Sequence, residues 1–175
     1  MRVYLTHCSK EKEPNLKGTD ITVTPDKLYT SAGIQQFMKR CQEQNVIWGV
    51  LSDLYGVYLS NERHVWYEKH PDTVTLQKKG IIVQDFNIKL SSYDEIFFFI
   101  TILRTFFEAE AETRIPPLVF ASVMRLKPAF HRWRFKIVRT VVIRIESFHP
   151  FYERVLKETV LADKVKTFQN IEFIE

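Results

Sequence analysis

Val46-Ile47-Trp48-Gly49-Val50-Leu51-Ser52 is an uninterrupted apolar run that ends in a hydroxyl side chain. An extended strand with this sequence carries apolar side chains on both of its faces. Strands of this kind are typical of parallel sheets, in which helices cover the two faces. The run therefore predicts an inner strand of a parallel sheet, and Asp53-Leu54-Tyr55-Gly56 after it predicts a tight turn.

The segments that precede this run predict another strand and a helix. Residues 2–7 alternate between apolar and polar side chains, which predicts a short first strand that neighbours the apolar run in the sheet. A polar segment, residues 11–27, follows and is long for a connection in a compact domain. Residues 32–44 then predict a helix with apolar residues on one face. These residues are Ile34, Phe37, Met38 and Cys41.

The second half of the chain alternates between strands and helices. The predicted elements are a strand at residues 79–90, a long buried helix at 92–113, a short strand at 118–121, a strand or a helix at 136–145, a helix at 150–161 and a closing strand at 165–174. The long helix is predicted because Ser92 and Glu95 have the spacing of a capping box and residues 96–107 are apolar nearly all round. We therefore expect residues 1–175 to form a single α/β domain, with a mainly parallel central sheet and helices on both faces.

The composition narrows the class of protein. The chain has 175 residues, of which 45 % are hydrophobic and 26 % charged, as in ordinary globular domains. Its net charge of +4 permits a nucleic-acid partner without requiring one. Two cysteines, Cys8 and Cys41, make a disulfide framework unexpected, and the longest apolar run, residues 96–103, is far shorter than the ~20 residues of a membrane span. We expect a cytoplasmic protein without a membrane partner; its oligomeric state does not follow from the sequence.

Chemically active side chains crowd the end of the first predicted strand, in Cys8-Ser9-Lys10-Glu11-Lys12. Ligands of open α/β sheets bind outside the carboxyl ends of the strands, so this loop is a candidate site. Lys10 and Lys12 would lower the pKa of the Cys8 thiol by stabilising its thiolate. A partly desolvated Lys12 would become a nucleophile, with Ser9 and Lys10 binding the substrate. The alternative is a packed cysteine beside two solvated lysines.

Two further loops offer groups that could bind a substrate. Tyr29, Thr30 and Ser31 stand at the start of a predicted helix, where hydroxyl and backbone N–H groups bind anions. Ser52 and Asp53 stand at the carboxyl end of a buried strand, which is the ligand position in such sheets. Helix capping and turn formation explain the same residues without a ligand.

Three residues complete the candidate set. Tyr55 and Gly56 belong to the predicted turn and are assigned to substrate binding. His70 titrates near neutral pH and would act in acid–base catalysis, although a histidine beside Pro71 is also typical of a loop. We predict that one cleft gathers four of the candidates: Cys8, Lys12, Ser52 and His70.

A basic and aromatic stretch, residues 125–136, contains no acidic residue. Basic groups neutralise phosphates and aromatic faces stack on bases, so the stretch is a candidate nucleic-acid interface. Its candidate residues are Arg125, Lys127, Arg132 and Arg134. A solvated helix face with buried aromatics is the alternative. The sequence has no metal-ligand spacing, no phosphate-binding glycine loop and no serine-nucleophile elbow, so no metal and no cofactor are expected.

Four of these motifs resemble one family when they are taken in order. The motifs are Cys8-Ser9-Lys10-Glu11-Lys12, Leu28-Tyr29-Thr30-Ser31, Val50-Leu51-Ser52-Asp53-Leu54-Tyr55-Gly56-Val57 and Tyr67-Glu68-Lys69-His70-Pro71. They resemble small bacterial, archaeal and phage α/β domains related to the YaaA peroxide-stress proteins. The pattern is also similar to the core domain of archaeosine synthase, which converts the nitrile of a 7-deazaguanine base in transfer RNA to an amidine or a lysine adduct.

The resemblance implies roles for individual residues. Cys8 and Lys12 fit a motif in which a cysteine and three further residues precede the lysine that attacks the nitrile. Residues 29–31 and 52–56 match two later family segments, the second with one residue more than the family has, and Gln35 stands near the place of a family histidine. The resemblance covers residues 2–75, and the remainder of the chain is expected to complete the sheet and its helical layer.

Two functions follow from these patterns. The first is an enzyme of the 7-deazaguanine-modification type that acts on a nucleobase or nucleotide, free or within RNA or DNA, with Lys12 as the nucleophile and Cys8 and His70 assisting. The second is a non-catalytic module that binds RNA or DNA through the basic, aromatic stretch. An enzyme requires an amine with a depressed pKa, whereas a binding module requires solvated amines and an affinity that falls steeply with salt.

Overall fold

The structure, a computed structural model, describes residues 1–100, 102–107, 141–146 and 149–175. The chain divides into two compact units, one made of residues 1–102 and 146–175 and the other of residues 103–145. A five-stranded sheet organises the first unit, and strands β5 and β6 form a two-stranded sheet of their own.

Seven strands and four α-helices are found in the described residues. The strands are β1 (Arg2–His7), β2 (Trp48–Ser52), β3 (Gly56–Leu59), β4 (Glu95–Phe99), β5 (Ile102–Phe107), β6 (Val141–Glu146) and β7 (Val165–Phe168). The helices are α1 (Pro25–Leu28), α2 (Ala32–Glu43), α3 (Leu76–Leu90) and α4 (Pro150–Glu158). Short 3-10 helices occupy Pro14–Leu16, Pro71–Thr73, Ala162–Lys164 and Ile171–Phe173.

The large sheet is mainly parallel, with strand order β3-β2-β1-β4-β7. Strand β1 lies at its centre and pairs in parallel with β2 and β4, so that Tyr4 stands opposite Trp48 on one side and Phe97 on the other. Strand β7 is parallel to β4, and β3 is antiparallel to β2. The predicted α/β class and the predicted pairing of the first two strands are both confirmed.

Helices pack on both faces of this sheet. On one face, Phe37 of α2 stacks on Phe99 of β4 with 5.5 Å between the ring centroids. On the other face, Tyr152 of α4 stacks on His7 of β1 at 5.6 Å, and α3 packs against α4 and β3. The core therefore lies in two layers, one above and one below the central strands.

Two predicted elements match the structure closely. Strand β2 is buried at every residue, as expected for an inner strand with apolar side chains on both faces. Helix α2 buries the predicted residues, which are Ile34, Phe37, Met38 and Cys41. Helix α4 also lies within the predicted helix at residues 150–161.

The predicted strand at residues 79–90 is wrong, because this segment belongs to helix α3. Its buried residues are Ile82, Phe86 and Leu90, which recur at every fourth position and so form one helical face. The side chain of Thr75 caps the helix by accepting a hydrogen bond from the Lys78 backbone N–H at 3.2 Å.

The predicted long helix at residues 92–113 is also wrong, because its first part is β4 and its middle is β5. Glu95 does not cap a helix; it begins β4, and its carboxylate pairs with Arg2 at 2.9 Å and Lys166 at 2.5 Å. Residues 96–99 are buried because β4 is an inner strand. A short apolar run cannot by its periodicity distinguish a buried strand from a buried helix.

The described residues test the remaining predicted elements only in part. Residues 141–145 lie in strand β6, which decides between the two alternatives there, while residues 118–121 and 136–140 lie outside the described residues. The closing strand is shorter than predicted, since β7 ends at Phe168. Within the described part of the chain, no helix has both the length and the apolar character that crossing a membrane requires.

Candidate active site at the ends of strands β1 and β2

The ends of β1 and β2 bring the first two candidate loops together. The Cys8 backbone N–H donates a hydrogen bond of 3.0 Å to the Leu51 carbonyl, which extends the parallel pairing one residue beyond β1. Ser52, the last residue of β2, therefore lies beside Cys8 at the same edge of the sheet. Parallel strands place their carboxyl ends together, which is why sequence patterns predicted this proximity.

A short backbone pairing holds Lys12 over this edge. Lys12 and Tyr29 form an isolated antiparallel bridge, flanked by hydrogen bonds from the Glu13 N–H to the Leu28 carbonyl at 2.8 Å and from the Thr30 N–H to the Glu11 carbonyl at 3.1 Å. The long polar segment is thus anchored on both sides of Lys12.

A buried hydroxyl network lies beneath Lys12. The Ser52 hydroxyl donates to the Tyr67 hydroxyl at 2.9 Å, and the Tyr29 and Tyr67 hydroxyls lie 2.9 Å apart. The Ser52 oxygen also accepts hydrogen bonds of 3.1 Å from the backbone N–H groups of Leu54 and Tyr55. The serine that was predicted to bind substrate therefore also closes the turn after β2.

Asp53 is the buried acid of the cluster, with 1 % of its surface exposed. Burial raises the pKa of its carboxyl group, while the Tyr67 hydroxyl, the positive charge of Lys12 and the Cys8 thiol act in the opposite direction. Among the described residues, its Oδ1 atom has no hydrogen-bond partner. A buried acceptor without a partner is costly, which makes Asp53 the least satisfied member of the cluster.

Cys8 is a buried thiol rather than a thiolate. Its Sγ lies 2.9 Å from the Tyr152 hydroxyl of α4. Burial raises the pKa of Cys8, and the negative charge of Asp53 raises it further. The sequence predicted a lowered pKa from the nearby lysines, and this prediction is wrong because removal from water outweighs their effect.

Lys12 is the half-buried cation of the cluster. Its Nζ donates to the Ser9 carbonyl at 3.2 Å and lies 4.3 Å from the centroid of the Tyr67 ring and 5.8 Å from that of Tyr29. Burial lowers the pKa of Lys12, and the negative charges of Asp53 and Glu68 oppose this shift. The direction agrees with the prediction of a partly desolvated amine.

His70 has contacts with residues other than Cys8, Lys12 and Ser52. It is exposed at the start of the 3-10 helix Pro71–Thr73, where its Nδ1 accepts from the Asp72 backbone N–H at 3.3 Å. Its ring contacts His149 edge-on at 5.9 Å. Among the described residues, no contact joins His70 to Cys8, Lys12 or Ser52, so the convergence of this histidine remains a prediction.

The helix-start candidates have backbone roles. Ser31 is the N-cap of α2, but its side chain makes no capping hydrogen bond. The backbone N–H groups of Tyr29 and Thr30 donate to the carbonyls of Pro25 and Glu11, at 3.0 and 3.1 Å. These two N–H groups are therefore engaged in the fold, and the idea that they hold an anion loses its physical basis.

Ser9, Tyr55 and Gly56 have structural roles in the loops and the turn. The Ser9 hydroxyl donates to the Glu11 carbonyl at 3.0 Å, and Lys10 is exposed. The Tyr55 hydroxyl donates to the Val65 carbonyl at 3.0 Å. Gly56 has a φ of +75°, and a Cβ at this position would collide with the Asp85 carboxylate, so the turn requires glycine.

Sequence analysis missed the contribution of Tyr152. This residue reaches Cys8 from a position 144 residues along the chain, and no local pattern signals such a contact. Tyr67 entered only as part of a family motif, although it connects Ser52 and Tyr29 in the structure. An excess of buried tyrosines is the one feature that could have suggested a hydroxyl network.

The polar cluster is largely buried, and its lysine, Lys12, is partly exposed. Two surface cavities, of about 410 and 330 Å³, lie elsewhere in the first unit, and neither is lined by Cys8, Lys12 or Ser52. In the described part of the chain, no group of three histidine, cysteine or acidic residues is arranged to hold a metal ion. The candidate nucleic-acid residues lie outside the described residues: Arg125, Lys127, Arg132 and Arg134.

Comparison with known proteins gives no match: no protein-family model, no curated protein and no solved structure matches this chain. The resemblance to the YaaA-related domains and to archaeosine synthase therefore rests on the motifs of residues 2–75 alone and stays a prediction.

Proposed function

We propose that the protein is an enzyme that modifies a nucleobase or nucleotide, with the Lys12 amine as its nucleophile. The observation that supports this proposal is the position of that amine, which is half-buried, lies over the Tyr67 ring and has a lowered pKa. A lysine that is partly removed from water gives up its proton more readily and then attacks electrophilic carbon. A binding module would instead use fully solvated amines.

The family resemblance suggests a nitrile on a 7-deazaguanine base as the electrophile. The lone pair of the neutral amine adds to the nitrile carbon, a carbon–nitrogen bond forms and one π bond of the nitrile breaks. The nitrile nitrogen gains a proton, and the attacking nitrogen loses one. The product is an amidine that joins the base to Lys12, with no other reactant and no atom lost.

With Lys12 as the nucleophile, Cys8 has a supporting role. A buried, protonated thiol beside Tyr152 is a poor nucleophile, because the thiolate is the reactive form. Cys8 therefore assists as a hydrogen-bonding partner of Tyr152 rather than as an attacking group.

Mass spectrometry of the intact protein tests the proposal directly. The native protein is incubated with a 7-deazaguanine base that carries a nitrile, and we expect a mass increase equal to the whole base, located on Lys12 by peptide mapping. Lys12→Arg, which keeps the charge, is expected to abolish the adduct. Lys39→Ala is the matched control, since Lys39 is an exposed lysine of α2 outside the candidate site and its loss should leave the adduct unchanged. Absence of an adduct on the native protein, or an adduct that survives Lys12→Arg, would reject the proposal.

A further inference from the structure

We propose that Asp53 is the positioning residue that controls the proton of Lys12: its buried carboxylate takes up the proton that the amine must lose before it attacks. In its catalytic part this inference rests on the proposed function. Its physical part, the coupling of the two groups, stands on the structure of the cluster alone.

The burial of Asp53 supports this role. Aspartate is almost never fully buried unless it is paired, and Asp53 is 1 % exposed. Lys12 forms no ion pair within 4.0 Å in the described part of the chain, and the Oδ1 atom of Asp53 lacks a partner there. An unpartnered carboxylate oxygen is a ready acceptor for a proton, because protonation removes a buried charge.

The contacts of Tyr67 also support this role. The Lys12 amine lies over the ring of Tyr67, and the hydroxyl of the same tyrosine accepts a hydrogen bond from Ser52, the residue that precedes Asp53. The Ser52 hydroxyl donates to the Tyr67 oxygen at 2.9 Å, and the Tyr29 hydroxyl lies 2.9 Å from the same oxygen. Tyr67 therefore connects the Lys12 amine to the turn that carries Asp53.

The balance of charge around Asp53 and Lys12 is consistent with the same role. Burial raises the pKa of Asp53 and lowers the pKa of Lys12, which brings the two values towards each other. Transfer of a proton from the ammonium to the carboxylate leaves the net charge unchanged and yields a neutral amine and a neutral acid. After attack, the same proton is available for the nitrogen that was part of the nitrile.

Other titratable groups also face this pair, and each has a defined effect. Glu68 raises the pKa of Lys12, but it is exposed and forms an ion pair of 3.1 Å with Lys17. The groups that surround Asp53 and Lys12 from the neighbouring elements are Cys8, Tyr29, Tyr67, Glu68 and Tyr152. Burial raises the pKa of each buried tyrosine and of Cys8, so these hydroxyls and this thiol stay neutral while Asp53 and Lys12 exchange a proton.

The coupling is tested by the pH dependence of Lys12 labelling. Peptide-resolved acetylation across a pH series reports the fraction of neutral amine, with exposed Lys10 as the internal reference. Asp53→Asn removes the negative charge that favours the ammonium form, so we expect the midpoint for Lys12 to move to lower pH by about one unit. Asp20→Asn, which removes an exposed carboxylate, should leave the midpoint in place. An unchanged midpoint in folded Asp53→Asn would overturn the inference.

A reciprocal measurement covers the case in which Asp53→Asn does not fold. Coupling between two sites is mutual, so Lys12→Ala must move the titration of Asp53 as well. Loss of the positive charge should raise the pKa of the Asp53 carboxyl group, measured by carbon-13 NMR of aspartate-labelled protein. Lys12 is partly exposed, and truncating it leaves the core intact. An Asp53 signal that titrates identically with and without Lys12 would refute the coupling.

The catalytic part is separated from the proposed function by the rate of adduct formation. Asp53→Asn leaves more neutral amine but no acceptor for its proton, so we expect labelling by acetylation to rise while adduct formation falls by about 100-fold or more. If the native protein forms no adduct but the midpoints move, the proposed function fails and the coupling stands. If Asp53→Asn forms the adduct as fast as the native protein, the proposed function stands and the role of Asp53 fails.

Discussion

Burial decides the chemistry of the two cysteines. Cys8 is 8 % exposed and Cys41 is completely buried. Burial raises the pKa of the Cys8 thiol and brings that of Cys41 to about 12. Both side chains are therefore protonated at neutral pH, and their thiolate forms, which react with electrophiles, are scarce.

We expect neither thiol to react readily with iodoacetamide in the folded protein. At about pH 8, alkylation of Cys8 and Cys41 should be at least about ten-fold slower than that of a free cysteine, because little thiolate is present and access is poor. Both should react at the free rate after unfolding in urea, which is the control. Mass spectrometry of timed samples measures the rates. Rapid alkylation of folded Cys8 would instead support the thiolate that the neighbouring lysines had suggested.

The site was predictable where it depends on strand order and unpredictable where it depends on distant side chains. Cys8 and Ser52 were placed together because they end neighbouring parallel strands. Tyr152 could not be foreseen, since its contact with Cys8 joins the two ends of the chain. The pKa of Cys8 also depends on this burial, so the local charge pattern alone gave the wrong direction.

Helix α3 and strand β4 show where sequence patterns are ambiguous at the level of elements. Both segments are rich in apolar residues, and both were assigned to the wrong class. Helix α3 has its buried residues at every fourth position, and the exposed apolar residues Ile81 and Ile88 lie outside this face, which obscures the helical period. Strand β4 is apolar on both faces because it is an inner strand between β1 and β7. The sequence of β4 alone does not reveal this position in the sheet.

Gly80→Ala tests the helical assignment of α3. Gly80 lies inside the helix, is exposed, and has open space where a Cβ would be placed. Alanine favours a helix over glycine, so we expect a stabilisation of about 0.5–1 kcal/mol in urea denaturation. Gly18→Ala is the control: Gly18 also has open space but a φ of +77°, so alanine there should destabilise by about 1 kcal/mol. A destabilising Gly80→Ala would contradict the helix.

Phe99→Ala tests the burial of β4. Phe99 is 6 % exposed, stacks on Phe37 and packs against Phe168 with 5.3 Å between ring centroids. Its truncation should lower the free energy of unfolding by about 3–5 kcal/mol, the usual range for a buried phenylalanine. Ile88→Ala, at a residue that is 67 % exposed, should cost less than about 0.5 kcal/mol in the same denaturation series. Equal effects of the two substitutions would show that Phe99 is not part of the core.

At the scale of the whole molecule, the parallel sheet followed from two short apolar patterns, whereas its full strand order did not. The runs that became β1 and β2 were enough to predict an α/β fold with these strands as inner neighbours. The placement of β4 and β7 on the other side of β1 depends on long crossovers that local periodicity does not encode. The basic stretch of residues 125–136 lies outside the described residues, so the alternative function that depends on it remains a prediction from sequence.

Charge reversal separates this alternative from a general effect of net charge. Replacement of Arg125, Arg132 and Arg134 by glutamate takes the net charge from +4 to −2, since each reversal removes two units. The same change at three exposed lysines of the first unit, Lys27, Lys39 and Lys157, is the charge-matched control. If the basic stretch binds phosphates, binding of single-stranded RNA at low salt should disappear in the arginine variant and weaken only slightly in the lysine variant.

In single arginine variants, the slope of log affinity against log salt should become shallower by about 0.7 for each phosphate that is no longer neutralised, because each neutralised phosphate releases counterions. Equal losses of affinity in the two triple variants would assign the binding to net charge alone, and a native protein that binds no RNA at low salt would reject the interface.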